Sequence, residues 1–214
     1  MLTLLGGGVA GLCLPGAAAL ACGPYPAADG WRFDVLRHGD VIGEHVFAFS
    51  RDGQDFVVEV AIDIAVGMLG ITLFRFTHRA EEVWRDGRLR SLATATDDDG
   101  TPWRVDLRHR DGALHGSVNG DDVELPGDAI PASLWHRGTT TAPALLDTID
   151  GRMKAVTSQT LGEGTAQVGA TEAAARRFRL TGQLQRDVWY GADCSIARVT
   201  FPARDGSEIT LARR

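Results

Sequence analysis

The stretch FVVEVAIDI, residues 56–64, places a large apolar side chain at every second position. The intervening positions include Glu59 and Asp63, whose carboxylates favour water. A period of two is the spacing of side chains on one face of a β-strand. The stretch therefore predicts a strand with one covered and one wet face, and the covered set is Phe56, Val58, Val60, Ile62 and Ile64.

The same alternation continues on both sides of this strand, with turn signals between the alternating segments. It appears in WRFDV, VIGEHVFAF, FRFTHRAEEVW and WRVDLRH. The tripeptide Arg-Asp-Gly begins at Arg51, Arg85, Arg110 and Arg204, each time between two alternating runs. Glycine after Asp supplies the positive φ that tight hairpins need. We therefore expect an antiparallel meander of about eight strands between Trp31 and Leu125.

The pattern breaks at residues 126–151, which contain three prolines and no alternation. Within this insert APALLDTID is the best candidate for a short helix, with Thr141 as its cap before Pro143. Alternation resumes in MKAVTSQ, ARRFRLTG, RDVWY, SIARVTF and EITLA. The sequence predicts one mainly β domain over residues 22–214. We expect a large curved antiparallel sheet or half-open barrel, with the short helical or irregular insert as its lid or plug.

Residues 1–21 have the pattern of a cleaved signal peptide, with a short apolar run ending in Ala19-Leu20-Ala21. We therefore expect a periplasmic or secreted protein. Cys22 then has two interpretations. It is either the lipid-bearing cysteine of an anchored lipoprotein or one half of a disulfide with Cys194, since exported proteins fold in an oxidising compartment.

Composition and motifs limit the classes of function. The net charge is −6 and Lys154 is the only lysine, so the chain has no basic tract for nucleic acid. It has no phosphate-binding loop, no dinucleotide fingerprint and no C-x-x-C pair. We therefore predict no cofactor and no nucleic-acid partner.

The segment FRFTHRAEEVW, residues 74–84, places His78 and Glu82 on the same face as large aromatics. On a strand these two residues are roughly 13 Å apart, too far to share a metal. In a meander His45 lies on the same face as His78 with one strand between, at roughly 10 Å on a flat sheet. This face has three interpretations: a packed core, a polar patch in an apolar ligand cavity, or a catalytic site. No metal site is predicted, because a zinc ion requires three or four convergent ligands and this face offers two histidines.

We predict that a ligand contacts the concave face. Ser133, His136 and Asp147 form a weaker set, because no nucleophile elbow surrounds the serine. The aspartates of TATDDDG, residues 94–100, are interpreted as a solvated turn. The predicted ligand-binding residues are His45, Phe47, Phe74, Phe76, His78, Glu82, Trp84 and Trp135.

The succession WRFDV, GDVIGEHVFAF, LGITLFRFTHRAEEVW, PASLWHRG, LLDT, WY and DGSEITL resembles a bacterial family of exported β-rich proteins of unknown function. More distantly, the strand pattern is similar to carriers of the lipoprotein-sorting type. In those carriers a half-open barrel wraps round a helical lid and holds acyl chains. The resemblance implies the fold more than the activity.

The sequence favours a non-enzymatic, exported binding protein that holds a hydrophobic small molecule or lipid on its concave face. Two alternatives stay open. One is a barrel-type enzyme that uses the inner-face histidines for proton transfer. The other is an assembly protein of the cell envelope that binds a protein partner.

Overall fold

The protein is described here from a computed structural model, which covers Gly23, residues 25–68 and residues 71–214. The predicted signal peptide and Cys22 lie outside the described residues, so the cleavage, the lipid anchor and the Cys22–Cys194 disulfide stay predictions. No helix within the described ranges is long and apolar enough to span a membrane.

The first half of the chain forms eight consecutive strands, as the alternation predicts. They are β1 Gly30–Arg37, β2 Asp40–Asp52, β3 Asp55–Met68, β4 Ile71–Arg85, β5 Arg88–Asp98, β6 Thr101–Arg110, β7 Ala113–Val118 and β8 Asp121–Pro126.

Six further strands follow. They are β9 Ala144–Leu146, β10 Met153–Val168, β11 Thr171–Gly182, β12 Arg186–Gly191, β13 Ile196–Pro202 and β14 Glu208–Arg213.

All fourteen strands belong to one antiparallel sheet, and the predicted half-open barrel is confirmed. The order is β8-β7-β6-β5-β4-β3-β2-β1-β14-β13-β12-β11-β10-β9. Every neighbour pair is consecutive in sequence except β1 and β14, which join the two halves of the chain. The edge strands β8 and β9 do not pair with each other, so the sheet curves without closing.

The hairpin turns follow the Asp-Gly and Asn-Gly signals. At the turn from β4 to β5, Asp86 and Gly87 have φ of 52° and 72°. At the turn from β7 to β8, Asn119 and Gly120 have φ of 52° and 92°. Two successive positive φ values match the right-handed twist of the flanking strands, which is why these dipeptides fix the strand register.

Burial alternates along the strands and defines one inner face. Phe33 and Val35 of β1 are fully buried, and so is Val58 of β3. Burial of such side chains is the main stabilising contribution, roughly 1.5–3 kcal/mol each relative to exposure. The core therefore lies between the inner face of the sheet and the insert.

The predicted insert, residues 126–151, corresponds in the structure to residues 127–152 between β8 and β10. These residues are mostly irregular and pack inside the curve of the sheet. The predicted helix at APALLDTID is wrong. Ala144–Leu146 instead forms β9, which pairs with β10, and a single 3-10 turn covers Arg137–Thr140, upstream of the prediction. Thr141 ends that turn instead of capping a helix. The reason is tertiary: Leu145 and Leu146 are both fully buried, and opposite faces of a strand can bury two adjacent side chains.

Candidate functional site

His45 and His78 lie in one row across the inner face. In the register of β2 to β5, His45 pairs with Ile62, Ile62 pairs with His78, and His78 pairs with Thr96. Residues directly opposite each other in antiparallel strands point to the same face. The two imidazoles therefore share the concave face, separated by the strand that carries Ile62.

The two histidines differ in their hydrogen bonding. His78 Nδ1 bonds to Thr96 Oγ1 at 2.7 Å, and its Nε2 lies 3.4 Å from Thr148 Oγ1 in the insert. His45 stacks on Phe47 with ring centroids 4.6 Å apart, and its Nε2 is buried with no hydrogen-bond partner in the described part of the chain. An unsatisfied buried ring nitrogen costs free energy, so His45 is the side chain of this row that a polar ligand atom would stabilise.

Burial keeps both rings neutral. Desolvation lowers the pKa of His45 to about 3, with a further contribution from the nearby His78. Desolvation also lowers the pKa of His78 to about 4, assisted by Arg79. Near neutral pH both rings are uncharged hydrogen-bonding groups in an apolar wall, and they are weak bases for proton abstraction.

A cavity of about 560 Å³ lies between the inner face and the insert. Its volume is within the range of small-molecule sites. One end reaches the surface where Arg37 ends β1, Asp98 ends β5, and Arg204 and Asp205 follow β13; we call this end the mouth. Most of the wall is apolar, including Phe33, Ile42, Val60, Ile64, Val199 and Ile209.

The eight predicted ligand-binding residues fall into two groups. His45, Phe47, Phe74, Phe76 and His78 line the cavity. The other three, Glu82, Trp84 and Trp135, do not line it. They lie at the opposite end of the interior, which we call the base, because β4 runs from the mouth toward its last residue at the far end of the sheet.

The base is built around the fully buried carboxylate of Glu82. Its Oε2 accepts hydrogen bonds from Trp84 Nε1 at 2.9 Å and from Trp135 Nε1 at 2.8 Å. The two indoles meet edge to face, with centroids 5.2 Å apart. Trp135 belongs to the insert, so its hydrogen bond to Glu82 holds the insert against the sheet.

Desolvation raises the pKa of Glu82, and the hydrogen bonds from the indoles and the proximity of Ser133 oppose that rise. The Ser133 hydroxyl lies near this carboxyl, and neither Ser133 Oγ nor Glu82 Oε1 has a hydrogen-bond partner among the described residues. A proton on Oε1 would relieve the desolvation cost without disturbing Oε2.

The insert also bonds to the other flank of the sheet. Tyr190 of β12 donates from its hydroxyl to the carbonyl oxygen of Leu134 at 2.6 Å. Leu134 has a φ of 70°, a left-handed conformation that is unusual for a side chain of this size. Together with the contacts of Trp135 and Thr148, this hydrogen bond joins the insert to β4 in the first half of the sheet and to β12 in the second half.

Charged side chains of the cavity wall concentrate at the mouth. Arg37 pairs with Asp205, and Arg204 pairs with Asp98 across the mouth from the β13–β14 turn to β5. Arg186, the first residue of β12, stacks on Phe201 with its guanidinium carbon 4.1 Å from the ring centroid. The sequence did not single out Arg186, because one arginine among many on an alternating strand gives no local signal.

The weaker predicted set, Ser133, His136 and Asp147, has no hydrogen bond between its members in the described part of the chain. His136 Nδ1 accepts from the Gly138 amide at 3.1 Å, and its ring stacks on Trp84 at 4.6 Å. Asp147 accepts from the Ile149 amide at 2.8 Å. Ser133 lies near Glu82 and lines the cavity. In the described ranges no group of three or more His, Cys, Asp or Glu side chains could hold a metal ion.

A protein family matches residues 33–214, nearly all of the described chain. Its description is "Domain of unknown function (DUF6134)". The chain belongs to this family. The sequence matches none of the curated proteins with which it was compared.

A solved structure is also similar to this DUF6134 chain. It is titled a crystal structure of a beta-barrel-like protein of the domain of unknown function DUF1849 from Brucella abortus. The identity is 12%, the TM-score is 0.61, and the match covers 86% of this chain and 94% of that one. At this identity the likeness shows the fold alone, and it confirms a β-rich, barrel-like family of unknown function.

Proposed function

We propose that this protein is an exported, non-enzymatic binding protein that holds a hydrophobic ligand, such as a lipid, in its interior. The observation that carries the proposal is the cavity of about 560 Å³ between the inner face and the insert. Well-packed cores leave few voids larger than a water molecule, so an apolar volume of this size favours a ligand site over a packed core.

The chemistry of the wall supports a hydrophobic ligand. His45 and His78, midway along the wall, are neutral near pH 7, whereas the three arginines of the wall lie at the mouth. An apolar body beside these two histidines therefore covers no charged imidazole. The unpaired nitrogen of His45 offers one hydrogen bond inside, and a few placed polar groups are typical of sites that orient an apolar ligand.

Filling the cavity tests the proposal. Ala80 is buried and lines the cavity beside His78, whereas Ala93 is exposed on the outer face of β5. Ala80→Leu adds three carbon atoms to the cavity wall, and Ala93→Leu adds the same atoms to the surface. The wild-type protein and both variants are expressed with the natural leader, then measured by native mass spectrometry and by organic extraction.

We expect wild type and Ala93→Leu to carry a co-purifying apolar molecule, and Ala80→Leu to carry roughly tenfold less. Purified wild type that carries no ligand and binds no apolar fluorescent probe would contradict the proposal. Equal ligand content in Ala80→Leu and Ala93→Leu would place the ligand elsewhere on the protein. Circular dichroism shows that each variant is folded.

A further inference from the structure

Arg186 is placed to bind an anion at the mouth of the cavity. Its side chain lines the cavity and is half-buried. The guanidinium donates to the carbonyl of Gln185 at 2.8 Å through Nη1 and rests on the Phe201 ring. These two contacts fix the plane of the guanidinium and leave most of its five N–H donors for other acceptors.

Arg186 differs from the other two arginines of the cavity wall. Arg37 and Arg204 are each paired with a carboxylate, from Asp205 and Asp98 respectively. No described carboxylate lies within ion-pair distance of Arg186. A half-buried cation without a close counterion pays a desolvation cost that an incoming anion would offset.

Asp147 is the acidic group that faces Arg186, and it already has partners. It accepts from the Ile149 amide at 2.8 Å and lies 4.0 Å from the ammonium of Lys154. Burial lowers the pKa of Arg186 to about 10, and the negative charge of Asp147 partly opposes this change. The guanidinium is therefore charged at neutral pH and only partly compensated.

The position of Arg186 fits a ligand that enters apolar end first. β12 begins at the mouth, since it runs antiparallel to β13, which ends there. The His45 row lies deeper: His45 pairs with Phe33, four residues before Arg37 on β1, or roughly 13 Å from the mouth along the strand. A charged head at Arg186 would thus leave an apolar chain facing the aromatic interior.

We propose that the ligand is an amphiphile with an anionic oxygen head group, a carboxylate or a phosphate, which Arg186 binds at the mouth while the hydrocarbon chain fills the cavity. This inference rests on the proposed function and specifies its ligand class. Arginine is suited to both head groups because its planar fork donates two parallel hydrogen bonds to either.

The test compares three probes that share one chain: dodecanoic acid, dodecyl phosphate and dodecanol. Their affinities are measured by calorimetry at pH 7.5 for wild type, Arg186→Gln and Arg104→Gln. Arg104→Gln is the matched control, because Arg104 is exposed on the outer face of β6 and does not line the cavity. Arg186→Met, which keeps an apolar stem over Phe201, provides the same comparison if the glutamine variant does not fold.

We expect wild type and Arg104→Gln to bind at least one of the two anionic probes about tenfold more tightly than dodecanol. Arg186→Gln should lose that preference while its affinity for dodecanol is unchanged. The probe that shows the larger preference identifies the head group. Equal binding of all three probes by wild type, or a preference that survives in Arg186→Gln, would overturn the head-group assignment and leave the binding function standing. Failure of every probe to bind would overturn both.

Discussion

At the scale of single residues, Glu82 shows how one buried acid can organise the packing of an insert against a sheet. The carboxylate lies two residues before Trp84 on β4, where a β-bulge at Val83 and Trp84 shifts the register. At this bulge Trp84 Nε1 donates a hydrogen bond to the Glu82 carboxylate on the same strand. Because the same oxygen accepts from Trp135, the position of the insert depends on a hydrogen-bond acceptor at residue 82.

Substitutions at Glu82 should separate its charge from its hydrogen bonds. Glu82→Gln keeps an acceptor for both indoles and offers an amide donor to the unpaired Ser133 Oγ, so we expect a stability change within about 1 kcal/mol. Glu82→Ala leaves two buried indole N–H groups unpaired, at about 1–3 kcal/mol each. Urea denaturation followed by tryptophan fluorescence measures both.

Glu81→Ala is the matched control, since Glu81 is exposed on the opposite face of the same strand. Its free energy of unfolding should lie within about 0.5 kcal/mol of that of wild type. If Glu82→Ala were no less stable than Glu81→Ala, the carboxylate would not be the group that holds the insert.

At the scale of elements, the insert replaces strand pairing as the link between the two flanks of an open sheet. Trp135 binds β4, Thr148 lies against His78 of β4, and Leu134 accepts from Tyr190 of β12. The sheet runs from β4 through β3, β2, β1, β14 and β13 to β12. The insert therefore spans the interior of the curve and shapes the cavity between these flanks.

Tyr190→Phe should loosen the insert while leaving the sheet intact. The change removes the donor to the buried Leu134 carbonyl, which costs about 1–3 kcal/mol when no other donor replaces it. We expect hydrogen exchange of the amides in residues 130–146 to accelerate by roughly ten- to a hundredfold, while exchange in β2 and β3 is unchanged.

Tyr25→Phe is the matched control, because it also removes one tyrosine hydroxyl. The Tyr25 hydroxyl accepts from the exposed Gly87 amide, where water can substitute. Uniform acceleration of exchange across the whole sheet in Tyr190→Phe would show that the insert and the sheet open together, contrary to this expectation.

The elements differ in how well the sequence predicts them. Alternation and Asp-Gly turns are local signals, so the eight strands of the first half and the five that follow the insert could be predicted from single segments. The short strand β9 could not be predicted in this way, because ALLDT also has the composition of a helix. Its strand conformation depends on pairing with the edge of β10. For the candidate site, alternation identified His45 and His78, whereas the separation into mouth, cavity and base required the position of the insert.

At the scale of the whole molecule, the buried histidines couple stability to pH. Burial lowers the pKa of His45 to about 3 and the pKa values of His78 and His136 to about 4, compared with 6.5 in an unfolded chain. As the pH falls below about 6.5, the unfolded chain binds protons that the folded chain does not, so stability decreases toward pH 3–4. Glu82 acts in the opposite direction, since its raised pKa costs stability as the pH rises above 4.5.

His45→Phe should reduce this acid sensitivity. Between pH 6.5 and pH 5 one histidine buried in the neutral form accounts for a loss of about 2 kcal/mol. We expect the free energy of unfolding of wild type to fall more steeply over this range than that of His45→Phe, as measured by urea denaturation at each pH. Exposed His38, in the turn after β1, provides the control His38→Asn. If wild type and His45→Phe showed the same slope, His45 would not be buried in the neutral form.

The sequence by itself determined the class of fold, because strand alternation and turn chemistry depend on neighbours only a few residues away. It also determined which histidines face inward. Only the tertiary structure decided that this face lines a cavity. The hydrogen bond between Trp135 and Glu82 joins residues 53 positions apart, and Arg186 meets the cavity only where β12 reaches the mouth. Such long-range contacts leave no periodic trace in the sequence, since they depend on how the insert fills a curve formed by strands from both halves of the chain.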